Sequence, residues 1–279
     1  MFRQIEGSNP KVLQNAVQGI LLLGKMRVRA HAKINWTLEV LGKRPDGYHD
    51  LRSIVLPVAL HDVVDLEPAD GITCETKGLD VPQEKNLAYR AAVALREATG
   101  CAQGVSIFIE KHIPSGAGLG GGSSDAAAVL NALNVLWNLG LSCERLCEVA
   151  AGIGSDIPAL VMGGPVLMEG RGELVRRIDA DVLRKLGVES LPAADSIEVF
   201  CPGVFSSTPA VYREFKETDC GLGPNDLQPA ALRLYPKIAN ALAYLEGKGL
   251  KRVTMSGSGS AVYGVKVPQC QRTEQRTLP

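Results

Sequence analysis

Pro114-Ser115-Gly116-Ala117-Gly118-Leu119-Gly120-Gly121-Gly122-Ser123-Ser124-Asp125 decides how the rest of the chain is read. Five of the seven residues from 116 to 122 are glycine. The stretch is entered from Val105-Ser106-Ile107-Phe108-Ile109, which reads as a strand, and left through the Ala-rich residues 126–139, which read as a helix. Glycines at such a turn let the backbone approach an anion and aim successive N–H groups at it. The helix N-terminus adds its positive end. Ser123 and Ser124 add hydroxyl donors, and Asp125 falls in the first turn, where a carboxylate suits the helix dipole. The stretch reads as a phosphate-binding loop.

It is not a Walker loop, because no Lys follows the last glycine. Gly116-x-Gly118-x-x-Gly121 matches the dinucleotide fingerprint by letter, but the match comes from glycine density. No acidic residue closes a strand about 20 residues later, as a nicotinamide enzyme would require.

Outward from the loop, residues 26–41 alternate as a strand and end at the turn Arg44-Pro45-Asp46-Gly47. Residues 54–58 and 62–66 read as two further strands joined by a short turn. Residues 86–99 carry helical periodicity with Gly100 as a stop, and 143–151 form another helix before the glycine turn Gly152-Ile153-Gly154-Ser155-Asp156. Strands at 165–169 and 197–201, helices at 209–217 and 227–246, and a strand–turn–strand over 252–265 complete the series. Strands and helices mix without strict βαβ alternation, so the expected class is α+β, with domains over 26–165 and 166–279.

The 279 residues are 46% hydrophobic and 22% charged, enough for a sizeable core. Thirty basic residues balance thirty acidic ones, so the basic excess of a general nucleic-acid binder is missing. No apolar run approaches the ~18 residues of a membrane span. Ile20-Leu21-Leu22-Leu23 is too short for a signal peptide core, and residues 1–25 are assigned no role. The seven cysteines include no CxxC pair, which points to free thiols in a reducing cytoplasm. Cys143 and Cys147, one helical turn apart, read as buried small hydrophobes rather than metal ligands.

Two charged residues stand out. Lys33 and Asn35 project from one face of an otherwise apolar strand, which is costly for a cation without a partner. Asp156 precedes a probable helix, where capping and catalysis are equally good readings.

The glycine loop resembles the phosphate-binding motif of the galactokinase–homoserine kinase–mevalonate kinase–phosphomevalonate kinase superfamily. Its triple glycine and Ser-Ser-Asp ending resemble one branch, the kinases of 4-diphosphocytidyl-2-C-methyl-D-erythritol. Ala32-Lys-Ile-Asn35, Leu41-Gly-Lys-Arg-Pro-Asp-Gly-Tyr-His49, Gly154-Ser-Asp-Ile-Pro158 with Gly170-Arg-Gly-Glu173, and Asn225-Asp-Leu227 with Met255-Ser-Gly-Ser-Gly259 agree, in order, over residues 27–267. Family members run on into a C-terminal helix where this chain has Pro268 and a polar tail.

The resemblance implies a two-domain α+β fold with ATP and its Mg2+ meeting the substrate in the interdomain cleft. The γ-phosphoryl would pass to a hydroxyl of a small molecule bearing a cytidine diphosphate group, handled by a monomer or weak homodimer. Asp156 matches the catalytic base and also lies against the substrate, with Lys33 its cationic partner. Tyr48 and His49 match the residues holding the cytosine, Asn35 lies against the substrate, and Asn86 and Lys111 lie near the nucleotide with loop residues 114–124. Another small-molecule kinase of the superfamily, mevalonate- or homoserine-type, is the alternative, followed by a non-catalytic nucleotide-binding relative.

Overall fold

The structure, a computed structural model, describes residues 19–22 and 24–267. Strand β1 (Gly19–Leu22) pairs antiparallel with β2 (Lys25–Asn35), Gly19 opposite Val28. The end of the leader thus forms a strand, where the sequence reading gave it no role. Residues 1–18 and the polar tail from Pro268 lie outside the described residues.

The single strand expected over 26–41 is two. After Asn35 the carbonyls of Asn35 and Trp36 accept from the Tyr263 hydroxyl (3.1 and 3.2 Å), so the chain leaves the sheet. It re-enters as β3 (Glu39–Lys43). The opposite correction applies next: β4 (His49–Ala69) is one strand of 21 residues, not two. Pro57, which cannot donate to a ladder, stands opposite Lys33 where β4 bulges, residues 58–60 facing Ala32 alone between the pairs His31–His61 and Lys33–Pro57. The bulge absorbs the missing bond, and β4 runs on.

The remaining strands of the large sheet are β5 (Ile72–Lys77), β6 (Gly104–Glu110), β7 (Val166–Gly170) and β8 (Leu174–Arg177). Among the described residues it has eight strands, ordered β1-β2-β4-β6-β5, with β3 and β7 on β4 and β8 on β7. Only β5 and β6 pair in parallel. Because β7 pairs with the long β4, the expected boundary near residue 165 falls inside this sheet.

Helices α1 (Leu87–Thr99) and α2 (Gly121–Leu136) cover one face. Ala126, Ala127 and Ala132 let α2 approach closely, and Val129, Leu130 and Leu133 pack with Ala30, Val64, Leu95 and Ile107. The helix starts at Gly121, five residues earlier than its alanines suggest. Gly120 takes the left-handed φ of +69° before it, so Gly121, Gly122 and Ser123 form its first turn.

Next along the chain come α3 (Cys143–Ala151), α4 (Ile157–Met162) and α5 (Ala180–Lys185). A three-stranded sheet, ordered β10-β11-β9, is built from β9 (Ile197–Phe200), β10 (Lys251–Met255) and β11 (Val262–Val265). Its Ala261, Tyr263 and Ile197 pack on Ala32, Ile34, Ile54 and Leu56 of the large sheet. Helices α6 (Thr208–Glu214), α7 (Gln228–Leu234) and α8 (Lys237–Gly247) cover it. The helix expected over 227–246 is split in two, because Pro236 carries no N–H to continue the first piece.

Leu130→Ala opens a cavity in a fully buried layer and should cost ~2–5 kcal/mol. Each of those kcal/mol should lower Tm by about 2–4 °C in a chain of this size. Leu174→Ala, at a site 61% exposed, should leave the melting curve almost unmoved. Thermal unfolding of both variants followed by circular dichroism checks the core assignment.

Candidate active site

Four successive loop carbonyls turn into the protein. Gly116 O accepts from Ser206 N (3.2 Å), Ala117 O from Ala261 N (2.9 Å), Gly118 O from the Ser256 hydroxyl (3.1 Å) and Leu119 O from Lys33 N (3.0 Å). With the carbonyls so engaged, residues 115–123 line a cleft of about 440 Å³. The first-turn N–H groups of α2, which have no helical acceptor, begin at its wall. Gly118 cannot be replaced: a Cβ there would stand 2.4 Å from Ser256 O, at a φ of +75°. Ser123 lines the cleft, but the Ser124 hydroxyl points the other way and donates to His31 O at 2.7 Å.

The adjoining wall is the turn between β10 and β11, bonded directly to the loop through Ser256 and Ala261. The Asn225 amide holds it open by donating to Met255 O and Gly257 O, both at 2.8 Å, and Thr208 and Ser258 pair through their hydroxyls at 2.7 Å. Gly257 and Ser258 thereby line the cleft beside the glycine loop.

Lys33 lies between the walls, only 5% exposed. Its ammonium donates to Asn35 Oδ1 at 2.7 Å and stands 3.4 Å from Asp156 Oδ2. Asn35 is fixed in turn by donating to the Ser53 hydroxyl (2.7 Å). Asp156 occupies the position before α4, yet its side chain caps no backbone N–H of that helix. The capping reading is thereby set aside, and Asp156 faces Lys33. Its carboxylate is 38% exposed and lines the cleft, open to a bound molecule.

Lys111 lies under the loop, buried, with its ammonium bonded to Asp62 and, at 2.6 Å, to Asp125. Asp62 also accepts the backbone N–H groups of His112 and Ile113, tying the loop's entry to β4. Burial pushes the Asp125 carboxyl up to about 7; Lys111 opposes the rise and Asp62 adds to it. Asn86 is the cap of α1: its Oδ1 accepts from Ala88 N and its Nδ2 donates to Thr76, both at 2.9 Å.

Tyr48 and His49 stand apart from this group. Tyr48 is 59% exposed, with the Arg171 guanidinium 5.3 Å over its ring. His49 stacks on Tyr212 of α6, centroids 5.1 Å apart, and meets the Phe215 edge at 6.0 Å. Burial lowers the His49 pKa, with Lys43 adding to the effect. Burial, then the Asp156 charge, raises the Tyr212 phenol, so this ring joins the aromatic group to the Lys33–Asp156 pair.

Sequence reasoning missed Asp62, Thr208 and Tyr212. Asp62 carried a signal, since a carboxylate inside an apolar strand calls for a partner as much as Lys33 does. Tyr212 carried none, its place depending on how α6 docks.

Residues 86–164 match the family model described as GHMP kinases N terminal domain, and 209–266 the model GHMP kinases C terminal. In fold, the chain resembles a homoserine kinase from Cytophaga hutchinsonii at a TM-score of 0.65 and 18% identity, covering 89% of this chain and 87% of that one. A solved 4-(cytidine 5'-diphospho)-2C-methyl-D-erythritol kinase gives a TM-score of 0.72 at 36% identity, over 86% of this chain and 90% of that one. Two proteins named 4-diphosphocytidyl-2-C-methyl-D-erythritol kinase are close in sequence. That of Geobacillus sp. (strain WCH70) is 40% identical over 254 residues, 86% of this chain and 88% of its own. That of Acidovorax ebreus (strain TPSY) is 42% identical over 250 residues, 85% and 86% respectively. Fold and loop define a GHMP kinase. Within that class, the chain belongs to the 4-diphosphocytidyl-2-C-methyl-D-erythritol kinase family.

The raised Asp125 carboxyl makes stability depend on pH. In the unfolded chain the group titrates at an ordinary carboxylate value, so its contribution is fully present below that value. It is lost as pH climbs through about 7. Asp125→Asn, neutral throughout, should gain stability relative to the parent between pH 5 and pH 8. Urea unfolding at both pH values measures this; an equal difference at each would contradict it.

Proposed function

We infer that this protein transfers the γ-phosphoryl of ATP to a hydroxyl of 4-diphosphocytidyl-2-C-methyl-D-erythritol, giving the 2-phosphate and ADP in the non-mevalonate isoprenoid route. The observation that carries this reading is the Lys33 ammonium, beside the glycine loop, held between Asn35 and a cleft-facing Asp156 that caps no helix N–H. The names of the relatives supply the acceptor.

The N–H groups of the loop and the first turn of α2 would hold the phosphates of ATP, and a Mg2+ ion bound with them would offset their charge. The substrate hydroxyl, barely ionised at neutral pH, gives its proton to the Asp156 carboxylate as its oxygen bonds to phosphorus. Lys33 keeps that carboxylate in place and offsets charge developing on the transferred group. Ser258 and the N–H groups of Gly257 and Ser258, in a turn steadied by Asn225, add donors for the phosphates or the acceptor beside the loop.

Outside the cleft lining, next to His49 in sequence, the Tyr48 ring has Arg171 on one side and is 59% exposed, leaving room for a flat pyrimidine. His49, its pKa lowered, is uncharged at neutral pH and can bond the base edge. The six cysteines of the described residues are all free thiols, which suits the cytoplasm.

Asp156→Asn should lower kcat by a factor of ~10² or more, the size of a lost general base, while nucleotide affinity and Tm stay near those of the parent. Turnover within a few-fold of the parent would remove Asp156 from the base role. Tyr48→Ala should raise KM for the cytidine-bearing substrate by roughly ten- to a hundred-fold, matching a stacking contact of ~1–3 kcal/mol. KM for ATP should hardly move. ATP-consumption assays with the diphosphocytidyl substrate, mevalonate, homoserine and galactose test the acceptor: activity on one of the other three alone would overturn the assignment.

A further inference from the structure

The catalytic account uses Lys33, Asn35 and Asp156 and leaves unused the residue on which Asn35 rests. Ser53 of β4 is fully buried, and its hydroxyl meets a polar partner on each of two sides. It donates to Thr37 O at 2.5 Å, in the crossing from β2 to β3, and accepts from Asn35 Nδ2 at 2.7 Å. Thr37 is pinned in turn, its own hydroxyl oxygen accepting from Ile54 N at 3.1 Å. Ser53 is thus anchored to backbone on both sides of the β2–β3 crossing.

Donor and acceptor roles along this row leave no choice. A carbonyl oxygen only accepts, so the single Ser53 proton goes to Thr37 O and the Ser53 oxygen is left to accept. Asn35 must therefore turn its amide nitrogen to Ser53. That aims its oxygen at the Lys33 ammonium, which only donates. By shape the two ends of an amide are alike, so partners alone decide which end faces which. Thr37 O, Ser53, Asn35 and Lys33 form one row with a single direction, ending at the ammonium 3.4 Å from Asp156. The backbone of Asn35 is held as well: its N–H donates to the Ser256 hydroxyl (3.2 Å), and its carbonyl accepts from Tyr263. Only the side-chain torsions of Asn35 remain, and the Ser53 contact closes them.

We propose that Ser53 is a positioning residue for phosphoryl transfer: by holding the Asn35 amide it fixes the Lys33 ammonium against Asp156. The proposal rests on the reading of Asp156 as the base and Lys33 as its partner. Without the Ser53 hydroxyl, the Asn35 nitrogen is a buried donor lacking an acceptor, a costly state that the side chain leaves by turning away. Its oxygen turns with it, and Lys33 loses the bond that holds it in reach of Asp156. The reacting groups are all still present but misplaced, so the loss falls on kcat. ATP binding is spared, because its phosphates meet the glycine loop.

The test compares Ser53→Ala, Ser53→Thr and Asp156→Asn with Asn35→Asp and the combined Asn35→Asp/Ser53→Ala variant. Each is assayed with ATP and the diphosphocytidyl substrate, with thermal melting followed alongside. Ser53→Ala should lower kcat by roughly tenfold, the size of one unsatisfied buried donor, with KM for ATP unchanged. Ser53→Thr returns the hydroxyl, its extra methyl group accommodated by the adaptable Met168 opposite it in β7, and should recover most of kcat. Should Ser53→Ala not fold, Ser53→Cys, similar in size but a weak donor and acceptor, carries the same expectation.

Asn35→Asp removes the amide hydrogens, so nothing there needs Ser53 as an acceptor. In that background the Ser53→Ala change should alter kcat by less than about twofold. A residue that only fills space would cost the same factor in both backgrounds, and that result would overturn the proposal. So would full kcat in Ser53→Ala while Asp156→Asn is impaired, or a Ser53→Thr variant that folds normally but stays as slow as Ser53→Ala. An Asp156→Asn variant as active as the parent would instead overturn the base reading, and the proposal with it.

Discussion

Burying an ammonium costs several kcal/mol unless polar groups surround it, and Lys33 imposes that demand at the centre of the molecule. Its partners come from separate parts of the chain. Asn35 stands two residues along β2, Asp156 comes from the turn before α4, and the backbone N–H of Lys33 itself holds Leu119 of the glycine loop. Satisfying one side chain thus fixes a strand, a loop and a helix start relative to one another. The bulge of β4 directly after Pro57 falls opposite the step from His31 to Lys33, where the pairing changes register.

A second buried ammonium does comparable work beneath the loop. Lys111 meets two carboxylates, Asp62 from β4 and Asp125 from α2, and Asp62 also gathers the N–H groups at the loop's entry. The loop is therefore held from below by charge and from behind by its own carbonyls. Its flexibility as glycine is used up in reaching this conformation, leaving a preorganised anion site. Preorganised donors of this kind need no rearrangement when charge develops on a transferred phosphoryl group.

Much of this could be read from residues alone. The density of glycine before a clean helix marked the loop that lines the cleft as a candidate phosphate site, and a cation on an apolar strand marked Lys33 as needing a partner. Alternation located the strands but not their joins, since Pro57 reads as a break until its bulge is seen, and Trp36 as strand until Tyr263 captures its carbonyl. Asp156 stayed ambiguous in sequence because a cap and a base occupy the same position before a helix; only the direction of its side chain separates them. Tyr212 and the Lys111 cluster depend on contacts between residues far apart in sequence, for which local pattern carries no record.

The central claim is that Lys33 and Asp156 act as one unit, and a double-mutant cycle on kcat tests it most directly. Lys33→Met, Asp156→Asn and the combined variant would be assayed at saturating ATP and diphosphocytidyl substrate, with circular dichroism confirming the fold. Residues that act together lose nearly everything at the first substitution. The combined variant should therefore turn over at about the rate of the slower single one. Losses that simply multiply would mean two independent contributions, and would contradict the account.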